Sequence, residues 1–253
     1  MILDTFNLNG KVAIVTGCDT GLGQGMARAL AQAGADIVGV NVTEPKDTVK
    51  QVESLGRRFL DLRANLADIG SIDGLLKQAT SVAGHVDILI NNAGIIRRED
   101  ALKFSEKDWD DVMNINVKTV FFFSQAVARQ YIAQGTGGKI INVASMLSFQ
   151  GGVRVPSYTA SKSGVMGITR LMANEWAAHH INVNAIAPGY MATNNTAALR
   201  ADEGRSSAIL DRIPAGRWGT PDDLAGPVVF LASKASDYVN GYTVAVDGGW
   251  LAR

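Results

Sequence analysis

Ser145, Tyr158 and Lys162 are residue types that together can move a proton to and from an alcohol oxygen. Ser157-Tyr158-Thr159-Ala160-Ser161-Lys162 opens a long helical pattern, and the four-residue offset puts the phenol and the amine on one helix face. Reversible carbonyl reduction needs such a pair. Hydride arriving at carbon leaves an oxyanion that must be protonated, and the reverse oxidation needs the same group as a base. A phenol with a pKa of about 10 is a poor base at neutral pH. An ammonium about 4 Å away contributes roughly 4 kcal/mol at an effective dielectric of about 20, so the spacing predicts a Tyr158 hydroxyl well below its ordinary value. Ser145 ends an apolar run and would donate a hydrogen bond to the substrate oxygen, holding it against Tyr158. A tyrosine and a lysine at this spacing are more often structural than catalytic. The serine before them, and the turn-rich Gly151, Gly152 and Pro156 that can fold the helix back beside it, give the pair something to act on.

A second constellation suits a dinucleotide. Thr16-Gly17-Cys18-Asp19-Thr20-Gly21-Leu22-Gly23 follows an apolar run and opens a helical pattern. Glycines there let the backbone turn tightly and approach a pyrophosphate, whose charge the free amides and dipole of a helix N-terminus stabilise. The order is not the common Gly-x-Gly-x-x-Gly fingerprint, and an ordinary strand-to-helix turn is the competing account of the glycines alone. Asn41, at the end of the next apolar run, stands where the adenosine ribose would be hydrogen-bonded; the competing account is a strand cap. Neither Cys18-Asp19-Thr20 nor Asn41-Val42-Thr43-Glu44 offers a lysine or arginine to a ribose 2'-phosphate, and Asp19 and Glu44 would repel one, which favours NAD over NADP.

These residues need a scaffold that brings strand ends together. Short apolar runs at Lys11 to Thr16, Asp36 to Val40, Arg58 to Leu62, Val86 to Ile90, Lys139 to Val143, Asn182 to Ala187 and Tyr242 to Val246 read as strands. Between them, Gly23 to Ala33, Ile69 to Ala83, Glu106 to Ala133 and Ser157 to Ala178 carry helical spacing. The alternation predicts an α/β fold: one Rossmann-like domain over residues 1–253, a doubly wound parallel sheet of about seven strands with helices on both faces. Ligands bind such sheets beyond the carboxyl ends of the strands. The polar stretch from Thr193 to Trp218 reads as a helical flap over the site, or as an ordinary surface excursion.

Composition narrows the partners. Lys+Arg 24 balance Asp+Glu 24, so no overall field favours nucleic acid or an anionic membrane, and a small-molecule substrate is expected. One cysteine excludes an internal disulfide and fits a reducing compartment, with the cytoplasm the simplest. The first ten residues lack the form of a secretory signal, and no apolar stretch approaches the roughly 18 to 20 residues of a membrane span. Three histidines and one cysteine, without His-Glu-x-x-His, give no metal site. No Gly-x-Ser-x-Gly or Gly-x-x-x-x-Gly-Lys-Ser/Thr is present, which argues against a hydrolase elbow and an NTPase loop. Cys18 reads as a small buried side chain.

Taken together these residues resemble the short-chain dehydrogenase/reductase family over essentially the whole chain: Thr16, Gly17, Gly21 and Gly23 of the glycine loop, Asn91-Asn92-Ala93-Gly94, Asn114-Ile115-Asn116-Val117, Ser145 thirteen residues before Tyr158, Lys162, and Pro188-Gly189-Tyr190-Met191-Ala192-Thr193. The resemblance implies a catalytic tetrad of Asn116, Ser145, Tyr158 and Lys162. It further implies that the Asn116 carbonyl holds a water linked to Lys162, and that Lys162 binds the nicotinamide ribose. Cofactor contacts are implied at Gly17, Asp19, Gly21, Leu22, Gly23, Asn41, Asn65, Leu66, Asn92, Ala93, Gly94, Tyr158, Lys162, Pro188, Gly189, Met191 and Thr193. Asn65 stands where many relatives have an aspartate. A homotetramer built on the helices over 106–133 and 157–178 and the last strand is implied as well.

Within the family, Gly17 to Gly21, Ile96-Arg97-Arg98-Glu99-Asp100, Ser145 to Gly152 and Asp247 to Arg253 are similar to members acting on keto sugar acids in pectin and uronate breakdown. A substrate carboxylate would want a guanidinium. Arg154 is the favoured partner and Arg97 the second, with Gln150 beside them and a surface salt bridge as the plain alternative for either arginine. The rival functions are a 3-oxoacyl thioester reductase or another sugar or polyol dehydrogenase of the family. Outside enzymes, the rival is a redox-inactive cofactor sensor or scaffold.

Overall fold

Runs of valine and isoleucine flanked by glycine become parallel strands because both of their faces can be buried under helices. In the computed structural model, which describes residues 1–253, the strands are β1 (Val12–Thr16), β2 (Asp36–Asn41), β3 (Phe59–Arg63), β4 (Ile88–Asn91), β5 (Gly138–Val143), β6 (Ile181–Pro188) and β7 (Thr243–Val246). They form one sheet in the order β3-β2-β1-β4-β5-β6-β7, parallel at every pairing. The order reverses between β1 and β4. Chains leaving those two strands diverge, and a crevice opens at their carboxyl ends.

The connections are α1 (Gly21–Gln32), α2 (Lys46–Ser54), α3 (Ile72–Ala83), α4 (Glu106–Met113), α5 (Val120–Gln134), α6 (Pro156–Trp176), α7 (Ala197–Ala201), α8 (Glu203–Arg212) and α9 (Ala225–Ala232). Strand side chains alternate between two apolar cores. Ala13, Val15, Ile88, Ile90, Ile141 and Val143 pack with Met26 and Leu30 of α1 and Val228 and Leu231 of α9. Val12, Ile14, Leu89 and Ile140 pack with Leu76 of α3, Phe123 and Val127 of α5 and Met172 of α6.

The expected helix over Glu106 to Ala133 is not continuous. A π-helical turn, Asn114–Thr119, separates α4 from α5. Asn and Thr side chains compete there with the helical ladder: the Thr119 hydroxyl donates to the Asn114 carbonyl at 3.1 Å, and the Asn116 amide reaches out to the Ile95 carbonyl at 2.9 Å. Two helices carry no clear sequence period. Only Thr48 and Val52 of α2 are buried, and α9 is apolar on nearly every side. The stretch from Thr193 to Trp218 is helical in part, with a 3-10 turn over Asn194–Thr196 followed by α7 and α8. Ile209 of α8 and Ile213 are buried against Met146 and Trp250. No helix is long and apolar enough to cross a membrane.

Candidate active site

The glycine loop between β1 and α1 is shaped by two left-handed residues, Gly17 (φ 62°) and Gly21 (φ 59°). That conformation costs a side-chain-bearing residue about 1 kcal/mol or more. A Cβ on Gly23 would lie 2.1 Å from the Gly17 carbonyl oxygen, so the first turn of α1 closes tightly on the loop. Asn92 ties this loop to the end of β4, its amide donating to the carbonyls of Thr16 and Gly17 at 3.0 and 2.8 Å. The Thr16 hydroxyl in turn accepts from the amides of Asn92 and Ala93. Ala93 lies against Gly17, where an added Cβ would come within 3.1 Å of its Cα. Gly94 packs on Asn116 in the same way. Across the crevice, the nearest atoms to a Cβ on Gly21 would belong to Thr193, 3.8 Å away. Thr193 follows Pro188, which ends β6, Gly189, and Met191, which is buried and bridges to Gly219. Thr20 caps α1 without a side-chain bond, leaving the helix amides open to the crevice. A slot walled by glycines and floored by free amides fits a pyrophosphate.

Asn41 is oriented differently from the expectation. It is 2% exposed, and its side-chain oxygen accepts from the Cys18 amide at 2.8 Å. The side chain props up the glycine loop from below. Thr48 of α2 completes the prop by donating to the Cys18 carbonyl at 2.7 Å. Cys18 is fully buried beneath the loop, and burial pushes its thiol up to about 12. The exposed rim is formed instead by Asp19, which accepts from the Thr43 hydroxyl, and by Arg63, whose guanidinium donates to the Val42 carbonyl. Asn65 is exposed and closes an Asx turn on Ala67, while Leu66 is buried. Leu22 is partly buried against the core.

Ser145 caps a short 3-10 turn at the end of β5, its hydroxyl oxygen accepting from the Leu147 amide at 3.1 Å. With that lone pair engaged, the hydroxyl proton is directed at Tyr158, to which Ser145 hydrogen-bonds. Pro156 starts α6 in its first turn, where a missing amide costs nothing, and sets Tyr158 and Lys162 beside the serine. Lys162 is buried, its Nζ 5.6 Å from the centre of the Tyr158 ring and 2.6 Å from the Val143 carbonyl, to which it donates. Asn116 sits in the π-helical turn. Its side chain is saturated by the Ile95 amide and carbonyl and by the Ser161 hydroxyl, at 2.9, 2.9 and 3.1 Å.

The electrostatics reverse one expectation. Burial raises the Tyr158 phenol above its ordinary value, and hydrogen bonding from Ser145 and the charge of Arg98 draw it only part of the way back. The lysine that was to depress it is itself desolvated, which lowers it from 10.5 to about 8. Desolvation of the buried phenol dominates, and the lysine ammonium is engaged by the Val143 carbonyl.

Both expected carboxylate receptors have partners elsewhere. Arg154 is 55% exposed with its guanidinium 3.6 Å from Glu99, and Arg97 lies 3.3 Å from Asp108 and 3.8 Å from Asp111. Arg98, between them in sequence, is the arginine whose charge reaches Tyr158, and it also touches the Asn195 carbonyl of the flap at 3.5 Å. Gln150 accepts from the Trp250 indole at 3.2 Å and from Arg212 at 3.4 Å, which joins the Ser145 loop, the C-terminal residues and α8. A cavity of about 740 Å3 lies at the opposite, amino end of the sheet. Two of its lysines are ion-paired there, Lys11 with Asp87 and Lys139 with Asp237, and it has no part in this site.

The comparisons with known proteins agree with this geometry. A family model described as enoyl-(acyl carrier protein) reductase matches residues 17–251. The 2-dehydro-3-deoxy-D-gluconate 5-dehydrogenase of Escherichia coli (strain K12) is 76% identical over 253 residues, covering 100% of both chains. A solved structure from Agrobacterium tumefaciens with bound NADP superposes with a TM-score of 0.94 at 54% identity, covering 99% of this chain and 100% of that one. The gluconate 5-dehydrogenase of Burkholderia cenocepacia J2315, in complex with NADP and tartrate, superposes with a TM-score of 0.95 at 39% identity over 100% of both chains. Full-length similarity at this level, on a parallel sheet whose strand ends gather a glycine loop, a serine, a tyrosine and a lysine, makes the chain a member of the short-chain dehydrogenase/reductase family of oxidoreductases.

Proposed function

We propose that the protein is an NAD(H)-dependent dehydrogenase that interconverts a keto sugar acid and its secondary alcohol. The pair would be of the 2-dehydro-3-deoxy-D-gluconate and 3-deoxy-D-glycero-2,5-hexodiulosonate kind met in pectin and uronate breakdown. The observation that carries this reading is Tyr158 hydrogen-bonded by Ser145, with the buried Lys162 Nζ 5.6 Å from its ring, at the carboxyl end of the sheet, in a chain 76% identical to a 2-dehydro-3-deoxy-D-gluconate 5-dehydrogenase. A nicotinamide cofactor held in the glycine-walled slot would supply or accept the hydride. The Ser145 hydroxyl donates to the substrate oxygen and fixes its position. Tyr158, held above its ordinary value, is protonated at neutral pH and delivers its proton to the oxyanion of a ketone under reduction; in oxidation it must first lose that proton. Arg98 binds the substrate carboxylate through its forked donors, in preference to Arg97 and Arg154, whose guanidinium groups lie beside Asp108 and Glu99.

The NAD preference rests on the Asp19 carboxylate at the rim, which repels a 2'-phosphate, while Arg63 beside Val42 pulls the other way. A homotetramer is supported by large apolar side chains left exposed on adjoining helices: Trp109 of α4, Phe122 and Ile132 of α5, and Leu171 of α6. A cytoplasmic setting suits the single reduced thiol. A panel of 2-dehydro-3-deoxy-D-gluconate, D-gluconate, a neutral ketose and a 3-oxoacyl thioester, run with NAD and with NADP, tests the reading. Turnover is expected with the sugar acids and NAD, falling about 10²- to 10⁴-fold in Tyr158→Phe. Indifference to that substitution, or preference for the thioester, would end it.

A further inference from the structure

Ser148 lies between two of the groups on which the proposed chemistry depends. Its hydroxyl donates to the Lys162 carbonyl at 2.6 Å and accepts from the Ser145 amide at 3.3 Å, and the side chain is buried. Lys162 is therefore tied to the end of β5 at both of its own ends, since its Nζ donates to the Val143 carbonyl while its backbone carbonyl receives Ser148. The two ties differ in stiffness. The ammonium sits on four rotatable bonds and can change partner, whereas Ser148 has one torsion and holds backbone to backbone. The contact is also long in sequence, joining a turn after β5 to a helix fourteen residues on, unlike the local bond of Ser161 to the Tyr158 carbonyl.

We propose that Ser148 is a positioning residue for catalysis: its hydroxyl fixes the separation between the Ser145 turn and the α6 face that carries Tyr158 and Lys162. It touches neither substrate nor cofactor. Its removal would leave the buried Ser145 amide without an acceptor and let the 3-10 turn relax. A displacement of about 1 Å at Ser145 is enough to cost roughly 10²-fold in rate. This inference rests on the catalytic reading given above, and the experiment separates the two.

Ser148→Ala, Ser148→Cys and Tyr158→Phe are compared with the wild type in the oxidation of 2-dehydro-3-deoxy-D-gluconate by NAD. NADH binding is followed by fluorescence, and the primary isotope effect is taken from substrate deuterated at carbon 5. For Ser148→Ala the expected result is a kcat about 10- to 100-fold lower, with NADH affinity and binding stoichiometry unchanged and a larger isotope effect, as hydride transfer becomes rate-limiting. Ser148→Cys, of similar size but a weak hydrogen-bonding group, is read by the same criteria should the alanine variant bind NADH substoichiometrically. A kcat close to wild type, or a loss matched by lost NADH sites with the isotope effect unmoved, would overturn the proposal by showing a serine that only supports folding. If Tyr158→Phe is inactive while both Ser148 variants are normal, the positioning role alone fails; if Tyr158→Phe is active, the catalytic reading fails and takes this role with it.

Discussion

At the scale of single residues, burial acts in opposite senses on the two titratable groups of the site, raising Tyr158 and lowering Lys162. For Lys162 the sign follows from linkage. The folded protein binds its proton with a pKa of about 8 against 10.5 when unfolded, so the unfolded state holds more protons in between, and stability rises with pH across that window. Below pH 8 the full desolvation cost is present in the folded state. Lys162→Met is expected to be more stable than the wild type at pH 7, by at most about 3 kcal/mol, and the advantage should shrink between pH 8 and 10.5 in urea titrations. Arg98→Ala should raise the KM for sugar acids roughly 10- to 100-fold, the worth of a charged hydrogen bond, while leaving a neutral ketone nearly untouched; equal effects would remove the carboxylate role. The sequence gives the types of these residues but not their directions. Arg97 and Arg98 are neighbours in an irregular stretch between β4 and α4, and one faces Asp108 while the charge of the other reaches Tyr158. The same limit applies to Asn41, whose position at the strand end was legible and whose inward turn toward Cys18 was not.

At the scale of elements, the glycine loop works because three neighbours hold it: Asn92 just after β4, Asn41 from β2 and Thr48 from α2. Gly23→Ala would drive a methyl into the Gly17 carbonyl. It should weaken NADH binding at least roughly tenfold in a fluorescence titration, with the circular dichroism of the helices retained; normal binding would show that the loop can give way. The seven strands were readable because buried parallel strands are apolar runs with sharp glycine ends. The break between α4 and α5 was not, since a π-helical turn keeps the apolar pattern going while shifting its phase, and the shift depends on where the side chains of Asn116 and Thr119 find partners. Nor was α2, a polar helix whose only buried side chains are Thr48 and Val52.

For the whole molecule, the alternation of strand and helix puts every reactive group at one end of the sheet and leaves the other end to ion pairs such as Lys11 with Asp87 and Lys139 with Asp237. The fold could be anticipated because one parallel sheet with two covered faces is the arrangement that satisfies so many apolar runs at once. The helices expected to pair copies of the chain leave Phe122, Ile132 and Leu171 partly exposed, which periodicity alone does not reveal.

The placement of Cys18 makes the protein carry its own stopwatch. Its sulfur is sealed under the glycine loop, and its proton is held to about pH 12, so an alkylating reagent at pH 8 meets almost no thiolate until the loop lifts. Because no other thiol competes for the reagent, mass spectrometry of maleimide-treated protein should count opening events one molecule at a time. Labelling is expected to be slow in buffer, slower with NADH present, and complete in guanidinium; rapid modification of the native chain would mean that the lid over this sulfur is rarely shut.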